Sequence, residues 1–139
     1  MSMQPELDSF LDEWTTDTND VKPTFNAIYA FLGGLDNVSL DFVARPGVSY
    51  SLRAKHAEQK NRTLFVLVDI IDDDPQARWL SVCFYDDLVM DPQEKGDVVP
   101  AGLMGEDARC FDLDEGSFEM QSYLLDRLRE AAAMAPEKR

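Results

Sequence analysis

The chain has 139 residues, with 13 Lys or Arg against 27 Asp or Glu and a formal net charge of −14. Hydrophobic residues make up 45% of it and aromatics 10%, which is enough apolar surface for a packed core and too much for a disordered acidic tail. Such acidity speaks against holding nucleic acid or an anionic membrane surface, because those contacts draw their affinity from Lys and Arg neutralising phosphates.

Met3, Leu7, Phe10, Leu11 and Trp14 recur at helical spacing, with Pro5 in a first turn where its missing N–H costs nothing. The polar string from Thr15 to Asp20 ends that helix. Asp20 is placed to cap a second one, in which Phe25, Ile28, Tyr29 and Leu32 share a face and Gly33-Gly34 forms the stop. From Val38 the period changes to two. Val38, Leu40, Phe42 and Ala44 alternate with polar residues, Arg45-Pro46-Gly47-Val48 fits a type II turn, and alternation resumes through Tyr50, Leu52 and Ala54. This predicts a hairpin with one wet face.

The run from Thr63 to Ile71 is apolar on both faces, as expected of a strand covered on both sides. Asp72 to Gln76 reads as a turn, and Arg78 to Tyr85 as the return strand of a four-strand antiparallel meander. Residues 86–108 carry Pro92, Gly96, Pro100, Gly102 and Gly105 and read as a long connection. A short late strand at 109–113 then feeds a helix from about Ser117 to Met134, with Phe118, Leu124, Leu125, Leu128, Ala131 and Ala132 as its apolar stripe. The expected fold is a single α+β domain over 1–139: an antiparallel sheet of about five strands, two N-terminal helices, one C-terminal helix, and a frayed tail at 135–139.

No stretch approaches the ~18 apolar residues of a membrane span, and the N-terminal segment lacks the basic-then-apolar pattern of an export signal. A cytoplasmic protein without membrane contact is expected. Cys83 and Cys110 are too few for a disulfide framework and read as small apolar residues inside strands, kept reduced.

The charge is unevenly laid out. Residues 45–62 hold five Lys or Arg and one acid, whereas 63–126 hold three bases and sixteen acids. Arg45, Arg53, Lys55, His56, Lys60 and Arg62 therefore form a candidate patch for an anion or an acidic partner; the alternative is that these bases offset the protein's own carboxylates across the sheet. Asp72, Asp73 and Asp74, with Asp86 and Asp87, are candidate oxygen ligands for a divalent cation, set against ordinary turn chemistry for three consecutive acids before Pro75. Asp112 to Gly116 fails as a calcium loop, since Ser117 stands where glycine is required and Tyr123 where glutamate is required.

His56 is the sole histidine and lies in a polar segment, so no nucleophile–histidine constellation is defined. The glycines of the long connection match no phosphate-binding loop, and no cofactor is implied. That connection is apolar at Val98, Val99, Leu103 and Met104; it either packs over the sheet or presents a recognition rim. No motif carries a resemblance to a known family. The sequence thus reads as a non-enzymatic module for protein interaction or self-association, with a homodimer expected to bury leftover sheet surface. The alternative is a carboxylate-rich, divalent-cation-binding protein with hydrolytic chemistry.

Overall fold

The computed structural model describes residues 4–139, so Met3 of the expected first stripe lies outside the described residues. Helices α1 (Pro5–Glu13) and α2 (Lys22–Gly33) precede strands β1 (Val38–Arg45), β2 (Ser49–His56), β3 (Val66–Ile71) and β4 (Trp79–Tyr85). A single 3-10 turn (Asp86–Leu88) follows, then β5 (Asp97–Leu103), β6 (Glu106–Leu113) and α3 (Phe118–Met134). The strands form one six-stranded antiparallel sheet in the order β1-β2-β3-β4-β6-β5. The α+β class and the meander stand as read from the sequence.

The strand count is six rather than about five, because the segment expected as loop pairs with β6. Pro100 and Gly102 argue against a strand, but β5 is an edge strand, where proline is tolerated. Its ladder is irregular between Val99 and Leu103, and Ala101 and Met104 sit at φ 54° and 51°.

Side chains alternate across a strand, so the register defines two faces. On one, Leu52, Val68, Val82 and Phe111 form a row across β2, β3, β4 and β6, all fully buried. The helices roof this face. Phe10 of α1 stacks on Tyr50 at 3.8 Å between ring centroids, and Tyr123 of α3 meets Phe111 edge-on at 6.2 Å. No helix covers the other face, although its Tyr85–Ala108 end is buried beneath the Arg62 guanidinium and Met104 of the β5–β6 turn reaches the side chains of β1 and β2. Burial along β3 therefore alternates, with Val66, Val68 and Ile70 buried and Leu67, Asp69 and Ile71 half-buried. The expectation of a strand covered on both sides is corrected accordingly.

Gly47 takes φ 83° in the β1–β2 turn, which Val48 closes by donating to the Arg45 carbonyl at 2.9 Å. Ser117 caps α3 by accepting from the Met120 amide. Asp17, however, accepts from the Val21 and Lys22 amides at 3.1 and 2.9 Å, so it, and not Asp20, closes the start of α2. Phe118 is 83% exposed; the inward face of α3 begins a turn later with Tyr123, Leu124, Arg127, Leu128 and Ala131. The tail expected to fray is docked. Ala135 is buried, and the main-chain oxygen of Arg139 accepts from the amides of Lys60, Asn61 and Arg62 at 3.0 to 3.3 Å.

Candidate interaction surface

Two rows of the unroofed face follow from the register. One runs Asp41, Arg53, Leu67, Cys83, Cys110, Asp97 from β1 to β5, and the next runs Val43, Ser51, Asp69, Ser81, Asp112 from β1 to β6. Beyond them lie Arg45, Ser49, Ile71 and Trp79, and at the opposite end Lys55 shares the face. The β1–β2 side thus carries Arg45, Arg53 and Lys55 against Asp41, while β6 and β5 contribute Asp112 and Asp97. Between these basic and acidic sides, β3 and β4 present Leu67, Ile71 and Trp79, each half-buried.

Among the described residues, Arg45, Arg53 and Lys55 form no ion pair, and the buried Nε of Arg53 has no acceptor. Arg53 and Lys55 line a cavity of about 210 Å³ together with Ser39, Asp41, Leu64 and Met104. Asp69 sits between the two sides and accepts from the Ser51 hydroxyl. Burial holds its carboxyl above the ordinary value, although the Ser51 hydrogen bond and the charges of Arg53 and Arg45 pull the other way.

The six residues of the expected basic patch do not stay together. Arg62 is drawn off into ion pairs with Asp87 at 3.0 Å and Glu106 at 2.8 Å, and its guanidinium lies over the Tyr85 ring at 4.0 Å. Those hydrogen bonds hold its pKa above the ordinary arginine value against the effect of burial. Lys60 is exposed on the β2–β3 loop. His56 pairs with Val38 at the end of the helix-covered side, and its Nδ1 accepts from the Glu58 amide at 3.1 Å. What remains as a patch is Arg45, Arg53 and Lys55.

The acidic candidates are likewise dispersed. Asp72 is buried beside the β1–β2 turn, where it accepts from Arg78 Nε and from the Gly47 amide, both at 2.7 Å. Asp73 is exposed, and Asp74 accepts from the Gln76 amide. Asp86 pairs with Arg109 at 2.8 Å and Asp87 with Arg62. The length of β4, about 20 Å at the usual rise per residue, separates the first three from the last two. No set of three or more His, Cys, Asp or Glu among the described residues is arranged to hold a metal ion.

Of the apolar loop residues, Leu103 is buried, Val98 and Val99 are 49% and 40% exposed along β5, and Met104, 59% exposed, lies in the β5–β6 turn. The residue that organises the connection carries no motif in the sequence. Asp91, buried at φ 45°, accepts from the Tyr123 hydroxyl, from Arg109 Nη1 at 3.0 Å, and from the amides of Lys95 and Gly96 at 3.0 Å each. Burial alone would raise its pKa; the four hydrogen bonds outweigh that and hold it below the ordinary carboxylate value. An Asp four residues ahead of Lys-Gly is the available signal, since Asp side chains bond nearby amides in turns.

Cys83 and Cys110 also depart from expectation. They lie opposite one another in the β4–β6 register, with Cα atoms 4.1 Å apart, and are joined by a disulfide. A separation of 27 residues gives no hint of this; the strand order creates it.

The fold is α+β, with one sheet face covered by the helices and the other by none. The chain has no significant match among protein-family models, curated proteins or solved structures. No helix among the described residues is long and apolar enough to cross a membrane.

Proposed function

We propose that the protein is a non-enzymatic module that works by protein contact through the open face of its sheet. The observation that carries this reading is the makeup of that face: three cations without ion pairs in a strongly acidic chain, beside half-buried Leu67, Ile71 and Trp79. Apolar side chains beside unpaired charge are the usual makeup of a contact surface, and aromatic residues such as Trp79 are enriched in such surfaces. Solvated surface positions would need neither. Reversing Arg53 and Lys55 together to Glu is expected to weaken salt-sensitive capture of the protein's partner at least tenfold; unchanged capture removes the open face from consideration.

A cytoplasmic setting belongs to the same reading, and the cysteine pair supplies its test. Reducing compartments keep thiols reduced. In cells quenched with an alkylating agent, both cysteines are expected to be labelled as free thiols. A pair recovered wholly as disulfide would place the protein in an oxidising compartment instead.

A further inference from the structure

Resting on that reading of the sheet face, we infer that the partner is an acidic peptide segment, one glutamate of which enters the cavity beside β1 and β2 and sets its carboxylate against Arg53 and Lys55. Three stretches of chain wall this cavity. The register places Asp41 beside Arg53 and Ser39 beside Lys55 across β1 and β2, Leu64 comes from the connection into β3, and Met104 arrives on the β5–β6 turn from the far edge of the sheet.

The unpaired cations carry the argument. Arg62, Arg78, Arg109, Arg127 and Arg129 each pair with a carboxylate of the chain itself. Among the described residues, neither Arg53 nor Lys55 has an ion pair or a side-chain hydrogen bond, although the chain holds 27 acids against 13 bases. Asp69 on β3 feels the charge of Arg53 but takes its hydrogen bond from the Ser51 hydroxyl. The two cations are therefore left for a carboxylate from outside. A guanidinium fork receives a carboxylate through two parallel hydrogen bonds, and the Lys55 ammonium adds a point charge.

Size and lining name the side chain. The volume of about 210 Å³ falls below the roughly 300–1,000 Å³ of small-molecule pockets, so it suits a single side chain better than a whole metabolite. Leu64 and Met104 offer apolar surface to the methylenes, and the methionine thioether adapts its shape to what lies against it. Glutamate brings a longer apolar stem to that surface than aspartate does. Asp41 settles the charge. Two bases against one acid leave the lining with one positive charge, which matches a carboxylate, whereas a phosphorylated side chain would bring nearly two negative charges up to Asp41.

The test follows the isotope-labelled full chain by NMR during titration with N-acetyl-glutamate α-amide, whose only charge is the side-chain carboxylate. Saturable shifts are expected at the Arg53 Nε–Hε signal and at the amides of Ser39, Lys55, Leu64 and Met104, with a dissociation constant on the order of 1–10 mM for so small a probe. N-acetyl-glutaminamide, which has the same shape without the charge, and N-acetyl-phosphoserine amide are each expected to bind about tenfold more weakly. Arg53→Gln and Lys55→Gln should each weaken the glutamate probe about fivefold or more, with Arg53→Lys between wild type and Arg53→Gln because it keeps the charge and loses the fork. Asp41→Asn should tighten both acidic probes and bring the phosphoserine probe level with glutamate. The dispersion of each variant's spectrum reports that it is folded.

An absence of saturable shifts up to about 100 mM overturns the inference, as do shifts spread evenly over the exposed lysines or binding indifferent to Arg53→Gln. A preference for carboxylate that survives Asp41→Asn overturns the charge argument that chose glutamate. If the probe fails while capture of the partner still depends on Arg53 and Lys55, the glutamate pocket is lost and the sheet face remains a docking surface. Probe binding with capture indifferent to both cations would sink the reading of the face instead.

Discussion

Replacing Asp91 with alanine should destabilise the fold by about 3–5 kcal/mol, the range for removing one partner of a buried charged network. The carboxylate is fully buried and satisfies the Tyr123 hydroxyl, Arg109 and two amides of the 91–96 turn. Without it those donors face one another with nothing to accept. Arg109 keeps Asp86, so part of the network survives and the loss is not larger. Urea unfolding at neutral pH measures the effect directly, and a loss under about 1 kcal/mol would mean that the turn is held by something else.

The same residue predicts a pH dependence. Its folded pKa lies below the unfolded value, so its contribution is complete above the ordinary carboxylate range and is lost as pH falls through the folded value. The gap between wild type and Asp91→Ala should therefore be widest near neutrality and close on acidification. A gap that stays constant into acid would show that the charge is not what matters.

Phe111→Ala should cost about 3–5 kcal/mol as well, by a different route. The ring is buried at the centre of the helix-covered face, edge-on to Phe84 at 5.9 Å between centroids and to Tyr123 at 6.2 Å. It also backs the long connection, since a Cβ on Gly96 would come within 2.9 Å of the ring. Deleting it opens a cavity that β4, β6 and α3 together cannot close. Phe111→Leu keeps most of the volume and is expected to cost about 1–1.5 kcal/mol. Equal losses for the two variants would contradict the packing argument. Because Asp91 and Phe111 both touch Tyr123 and the 91–96 turn, the double variant should fall short of the sum of its parts.

The period-two alternation of Val38 to Ala54 and of Trp79 to Tyr85 was enough to place β1, β2 and β4, because a half-covered sheet writes its faces into the sequence. Strand β3 was found but its environment misread: Leu67 and Ile71 look like core until Asp69 between them is weighed as a residue that needs a polar neighbour. Strand β5 was hidden by Pro100 and Gly102, which signal a loop everywhere except on an edge. The basic patch could be located but not partitioned. Whether Arg62 or Arg53 is neutralised depends on Asp87 and Glu106, 25 and 44 residues further along the chain, and no local pattern carries that distance. The anchor Asp91 was lost among 27 acids for the same reason, since burial distinguishes it and composition does not.

In the sheet, β4 and β6 are the one pair of neighbours not consecutive in the chain. Every other pairing is a hairpin or the next turn of a meander and can re-form locally, whereas this seam requires the chain to return across the 20 residues from 86 to 105. Cys83–Cys110 sits on that seam. On the chain-entropy account, closing a loop of this size is worth about 3.5 kcal/mol, at the place where the unfolded chain has most freedom to lose. While the bond stands, β6 stays tethered to β4 at this point even in the unfolded chain; with two thiols in its place, the return across that excursion has to be found anew each time the chain folds.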